Sequence, residues 1–168
     1  LEPMSGLLNW ANDPVPLYHY NQPPLFFYMI ALHIKIFGNS EISLHLFLSI
    51  FTFLVLYFFQ RITYLLPIEN KKLLLTLFAF NPAFIVNQNL MMDVPILAVF
   101  LGTLFFVLKA KQNPRYYIYA SMLIATGLLI KYSVLPLLVV LAIVILVNRD
   151  FKSLFVLLIP IGVLAFWS

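Results

Sequence analysis

Short apolar runs, each cut off by a proline, a glycine, an amide or a pair of basic residues, recur along nearly the whole of this chain. That alternation restricts its fold more than any other feature. The runs stand at 42–59, 73–86, 94–108, 116–130, 134–147 and 154–167. A helix needs about 20 apolar residues to cross a bilayer. Several runs must therefore take in flanking Asn, Gln, Tyr or Ser to reach both interfaces, and short, broken helices are expected. The chain is 63% hydrophobic and only 10% charged, whereas soluble domains are about 45–50% apolar and about 25% charged. A soluble fold of this length leaves roughly a third of its unfolded surface exposed, so lipid must be part of the solvent. The reading is an all-α, multi-pass integral membrane protein with six crossings.

The stretch 116–147 admits a single long helix with Lys131 in its middle. Thirty-two residues of helix would run roughly 48 Å against a hydrocarbon core of about 30 Å. Arg115 and the pair Arg149 and Lys152 also belong on one side by the rule that Lys and Arg gather in cytoplasmic loops. The chain must therefore turn near Lys131. With that turn, eight of the ten Lys and Arg fall in inner loops, and Lys35 and Lys131 fall on the outer side. Glu2, Asp13, Glu41 and Asp93 share that outer side. The net charge of +4 thus reflects topology. The basic residues form no stripe, and no nucleic-acid partner is expected.

The stretch "YHYNQPPLFFYMIALHIKIFG" joins a polar, aromatic loop to a helix through Pro23 and Pro24. Prolines fix the backbone and push the preceding residue out of the α region, and Gly38 with Asn39 closes the helix. Residues 24–37 make a helix of about 21 Å, too short to cross, so the expectation is a juxtamembrane helix on the outer surface. The division expected is an outer loop with this helix over 1–41 and a transmembrane bundle over 42–168. The chain opens on Leu rather than Met with no leader pattern, which suggests a fragment whose upstream helix is missing. There is no cysteine, so no disulfide framework arises.

On these residues the chain resembles a known family. "NQPPLFFYMIALHIKIFGNSEISLHLFLSIF" and "FNPAFIVNQNLMMDVPILAVF" are similar to the core of the lipid-linked glycosyltransferases of the GT-C fold, in the group joining protein mannosyltransferases to the aminoarabinose transferase of lipid A. The resemblance implies a proline-proline-leucine-aromatic loop end (Pro23, Pro24, Leu25, Phe26), an "FG" and Glu before the next helix (Phe37, Gly38, Glu41), and Asp93 at the outer end of a span. It implies transfer of a mannose-like hexose from a polyprenyl-phosphate donor to a lipid, glycan or protein acceptor on the non-cytoplasmic face, with inversion. In a bacterium that is the plasma membrane with the active face outside. Three positions depart from the pattern. Leu1 stands where the family has its catalytic Asp, beside Glu2; His45 replaces an Arg; Gln22 precedes the prolines.

A transferase for a prenyl-carried sugar needs a carboxylate to take the proton of the attacking hydroxyl, a cation for the departing phosphate, and a lipid-facing groove. Glu2 and Asp93 are the candidate carboxylates. Lys131 is the candidate cation, with Tyr132 and Ser133 as added donors. His19, Asn21, Gln22 and Asp13 are candidate substrate contacts from the outer loop. The juxtamembrane helix and the Phe-rich first span are expected to wall the groove. Each candidate has a plainer reading: Asp93 as a helix cap before Pro95, Lys131 as a snorkelling side chain, His19 and its neighbouring tyrosines as part of an aromatic belt. No metal-spaced His cluster, phosphate loop or nucleophile motif occurs, so no metal ligands are assigned and the cofactor stays open, a divalent cation included. Two other functions fit the composition. A transporter or channel would place Lys131 and Asp93 along a path, although such proteins carry ionisable groups near the midplane and repeated halves. A non-catalytic assembly protein would account for the absent Asp.

Overall fold

The computed structural model describes residues 7–9, 14–16, 23–86, 88 and 91–167. Among these residues the architecture is helical apart from one short hairpin, β1 (Leu7–Asn9) antiparallel to β2 (Pro14–Pro16), with Leu8 opposite Val15. This hairpin is an addition to the all-α expectation. Pro14 and Pro16 donate no backbone hydrogen bond, and a two-stranded sheet tolerates them because neither strand is central.

Helix α1 (Leu25–Phe37) starts directly after the two prolines and stops at Gly38, whose φ of 85° is a conformation glycine reaches without strain. Ser40 then caps α2 (Glu41–Leu65), its Oγ accepting from the Ser43 amide at 3.2 Å. The helix outruns the apolar run 42–59 because its polar end still has partners. Arg61 lies over the Tyr57 ring, and Lys71 of the next helix lies over Tyr64. The run 73–86 is split, as its Asn-Pro step requires, into α3 (Lys71–Ala79) and α4 (Pro82–Val86). Then follow α5 (Asp93–Ala110), α6 (Tyr116–Leu128), a 3-10 turn at Tyr132–Val134, α7 (Leu135–Val147), a 3-10 segment at Phe151–Leu157 and α8 (Leu158–Trp167). The turn expected near Lys131 is present. Among the described residues two helices, α2 and α5, are long and apolar enough to cross a membrane by themselves.

Side-chain pairings give the directions of the helices. Leu48 and Val55 of α2 join Val94 and Ala98 of α5 in one cluster, and Phe58 meets Phe105 and Phe106 further along, so α2 and α5 run parallel. Phe106 stacks on Tyr116, while Gly127 lies against Val99, so α6 runs back along α5. Asn148 at the end of α7 donates to Tyr117 at the start of α6 at 2.9 Å, so α7 reverses again. One end of the molecule therefore gathers the start of α5 and the α6–α7 connection. The other end holds Arg61, Lys109, Arg115 and Arg149. The first two turns of α2, roughly 10 Å of helix, extend past the level of Asp93, and α1 leans on them. His33 Nε2 lies 2.8 Å from Ser43 Oγ and 2.9 Å from the Ser43 carbonyl. A carbonyl can only accept, so Nε2 carries the proton.

Two glycines let the helices approach closely. A Cβ on Gly102 would stand 2.8 Å from the Leu123 Cδ1 methyl and 3.0 Å from the Phe58 ring; on Gly127 it would stand 2.8 Å from Val99 and 3.0 Å from Val134. A leucine methyl can swing away, whereas β-branched valines are held at χ1. Gly102→Ala should therefore leave thermal unfolding in detergent nearly unchanged. Gly127→Ala should cost about 1–3 kcal/mol through overpacking, read as a fall in Tm of several degrees. Equal Tm values for the two variants would contradict this packing.

Candidate functional site

Asp93 is the first residue of α5, and the position before it, Met92, makes no capping bond with its side chain. The plainer reading of Asp93 as a cap is not what the fold uses. Its carboxylate reaches across to Lys131, with Lys131 Nζ donating to Asp93 Oδ1 at 3.2 Å. Lys131 gets there because its backbone is extended (φ −158°, ψ 134°) between the end of α6 and the 3-10 turn, with its amide held by the Gly127 carbonyl at 2.8 Å. The Lys131 and Asp93 side chains are 31% and 49% exposed. An ion pair this open contributes about 0–1 kcal/mol. Stability is therefore a weak reason for two charges to meet where an apolar chain would carry none.

One concavity includes Asp93, and a second reaches Leu129, two residues before Lys131. Asp93 itself lines a pocket of about 260 Å³ with Phe78, Asn81, Ala83, Phe84, Val94 and Leu97. Its walls come from the break between α3 and α4 and from the first turn of α5. Asn81 Oδ1 accepts from the Ala83 amide at 2.9 Å, replacing a backbone bond lost to Pro82. Phe78 is stacked on Phe59 at 3.9 Å and next to Phe84 at 5.3 Å, which stiffens one wall. The second concavity, about 470 Å³, is almost wholly apolar and runs between Pro24, Leu25 and Tyr28 of the elbow and Ile159, Val163 and Phe166 of α8. Its floor includes Leu129, two residues before Lys131. The elbow is anchored at that residue, where the Leu25 amide donates to the Leu129 carbonyl at 3.1 Å. The groove expected between the juxtamembrane helix and the Phe-rich span lies instead between α1 and α8. Phe47 and Phe51 of α2 are taken up in packing against Phe26.

The connection that delivers Asp93 is itself tied down. Gln88 accepts from Thr52 Oγ1 of α2 and donates from Nε2 to the Phe84 carbonyl of α4 at 3.1 Å. Nothing in the sequence gives Thr52 or Gln88 a role, and Asn81 reads there only as part of a kink. The Asn-Pro step and the run of amides before Asp93 were the available signals. Of the other candidates, Tyr132 is half-buried in the 3-10 turn beside Lys131. Glu2, Asp13, His19, Asn21 and Gln22 lie outside the described residues. Among the described residues no three His, Asp or Glu side chains converge.

One end of the apolar helices thus carries an ion pair, a polar-edged pocket and an apolar groove. The chain belongs to the dolichyl-phosphate-mannose-protein mannosyltransferase family, whose model matches residues 21–168. The match carries with it the family's general chemistry, transfer of a sugar from a lipid-linked donor. No curated protein and no solved structure matches the chain.

Thr52 has a second acceptor, the Leu48 carbonyl at 3.5 Å, whereas Thr52 is the donor that meets the Gln88 oxygen. Removing one partner of a bonded pair costs more than removing both. Thr52→Val should therefore lower unfolding stability by about 1 kcal/mol, Gln88→Leu by less, and the double variant should recover part of the Thr52→Val loss. Chemical unfolding in micelles reads all three, and strictly additive losses would contradict the clasp.

Proposed function

We propose that this chain is a multi-pass GT-C type glycosyltransferase that takes a mannose-like hexose from a polyprenyl-phosphate donor and gives it, with inversion, to an acceptor hydroxyl on the non-cytoplasmic face. In this reading residues 1–41 form the outer loop and juxtamembrane helix, and 42–168 form a bundle crossing six times. The basic end of the bundle is cytoplasmic. In a bacterium the protein sits in the plasma membrane with its site outside.

One observation carries the reading: Asp93 and Lys131, 38 residues apart in sequence, meet at 3.2 Å at the end opposite the basic loops. The donor's prenyl chain lies in the apolar groove between α1 and α8. Its phosphate reaches the Lys131 ammonium, with Tyr132 as an added donor. The acceptor hydroxyl attacks the sugar's anomeric carbon, and its proton passes to the Asp93 carboxylate. The new carbon–oxygen bond forms as the bond to phosphate breaks, and Lys131 holds the charge of the prenyl phosphate that leaves. The outer loop supplies Glu2 as a second carboxylate and Asp13, His19, Asn21 and Gln22 as contacts to sugar and acceptor.

Before the donor arrives, Lys131 and Asp93 satisfy each other, so the phosphate must compete with the carboxylate for the ammonium. Removing that competitor strengthens donor binding even as it removes the base. In membranes carrying the intact protein, Asp93→Asn should bind polyprenyl phosphate several-fold more tightly than wild type while transfer from a radiolabelled polyprenyl-phosphate hexose falls at least about 100-fold. Lys131→Met should weaken binding about tenfold or more. Transfer that survives Asp93→Asn removes the base. Donor affinity unmoved in both variants removes the phosphate site, and a wild-type protein that neither binds nor transfers is the assembly protein weighed above.

A further inference from the structure

The groove between α1 and α8 and the pocket beside Asp93 differ in chemistry, and a two-substrate transferase has two occupants to place. We infer that the 260 Å³ pocket of Phe78, Asn81, Phe84, Asp93 and Leu97 is an acceptor subsite for one pyranose ring, the terminal sugar of a membrane-borne glycan. The inference rests on the reading of Asp93 as the base, since the acceptor must place its hydroxyl against that carboxylate.

Size comes first. Pockets for drug-sized ligands run from about 300 to 1,000 Å³. This one has room for a single ring, and is small for a folded peptide segment or a whole lipid tail. Polarity comes next. The wall holds one carboxylate and one amide among apolar side chains, and the amide is already oriented. Asn81 Oδ1 is engaged by the Ala83 amide, so its Nδ2 hydrogens remain to donate. An acceptor beside a donor suits neighbouring hydroxyls on a ring, one donating its proton to Asp93 and the next accepting from Asn81. An alkyl chain seated there would strip water from both groups and return no hydrogen bond, which costs roughly 1–3 kcal/mol for each. The apolar remainder, with Phe78 held in place between Phe59 and Phe84, matches the less polar face of a pyranose. In the reaction the ring's hydroxyl loses its proton to Asp93, its oxygen gains the bond to the donor's anomeric carbon, and prenyl phosphate departs toward Lys131.

The test uses the intact protein in membranes with a radiolabelled polyprenyl-phosphate hexose and three acceptors: an octyl hexoside, dodecanol and a threonine-containing peptide. A diazirine-bearing octyl hexoside reads the pocket directly. It should crosslink within residues 78–97 of wild type, and crosslinking requires no transfer. Label should pass to the octyl hexoside and to neither rival. Ala83→Trp, which fills the pocket, should raise the acceptor KM at least tenfold and abolish the crosslink, with donor affinity within twofold of wild type. Asn81→Ser keeps an oxygen to cap α4 and loses the amide donor; it should raise acceptor KM several-fold and stands in for Ala83→Trp if that variant no longer binds donor. Label passing to dodecanol or the peptide in place of the hexoside, or transfer with the crosslink elsewhere, overturns the subsite and leaves the transferase reading intact. A crosslink at 78–97 without transfer to any acceptor shows that the pocket holds a sugar but overturns the transferase reading, and with it the pocket's role as an acceptor subsite.

Discussion

A backbone immersed in lipid has no water to satisfy the amide and carbonyl groups that a helix break sets free. Among the described residues, the breaks come with partners of their own. At Pro82 the Asn81 side chain takes up the Ala83 amide. Past the end of α6, the Leu129 carbonyl accepts from Leu25 and the Lys131 amide is held by Gly127. After α7, the Arg149 and Asp150 amides donate to the Leu146 and Ile145 carbonyls, and the Ser153 amide donates to the Asp150 carbonyl at 2.9 Å. Small hydroxyl side chains, Thr63, Thr103 and Ser121 among them, are buried within the helices, whereas Asn81, Asp93 and Lys131 stand at or beside breaks, so the positions of the breaks decide where amide and charged groups are available.

Two of the breaks fall at one end, and they account for the candidate site. The α6–α7 connection presents Lys131, and the interruption between α3 and α5 presents Asn81 and Asp93. The close seat of Gly127 on Val99 and Val134 sets α6 against α5 so that Lys131 comes level with the first residue of α5. The Leu25 to Leu129 bond fixes the elbow, and with it one wall of the apolar groove, to the same turn. A single ion pair thus stands with a polar-edged pocket on its Asp93 side and an apolar groove near its Lys131 side. That arrangement suits a substrate with a hydrocarbon tail and a charged, sugar-bearing head.

Much of this was legible in the residues. The apolar runs located the helices, the length argument required the turn near Lys131, and the Asn-Pro step marked the split of the second run. The shared side of Asp93 and Lys131 followed from helix length and charge placement together, although their 3.2 Å contact did not. Other features depend on tertiary partners that no local pattern announces. Helix α2 continues past Phe59 because Arg61 and Lys71 find tyrosine rings. The groove uses α8 because Phe26 consumes the aromatic face of α2. Thr52 and Gln88 are 36 residues apart, and neither is unusual where it stands. The β1–β2 hairpin is short and proline-rich, with little alternation to betray it. The family match over residues 21–168 agrees with the resemblance carried by the proline elbow and the Asp93 segment.

The account stands on Asp93 and Lys131 sharing one face of the membrane. The chain has no cysteine, so single cysteines can be placed beside the pair, at Met92 and at Ser133, and labelled in intact cells with a membrane-impermeant maleimide. Both should react from outside the cytoplasm, and a cysteine at Asn113 should react only after the membrane is opened. Labelling of positions 92 and 133 from opposite sides would contradict the account.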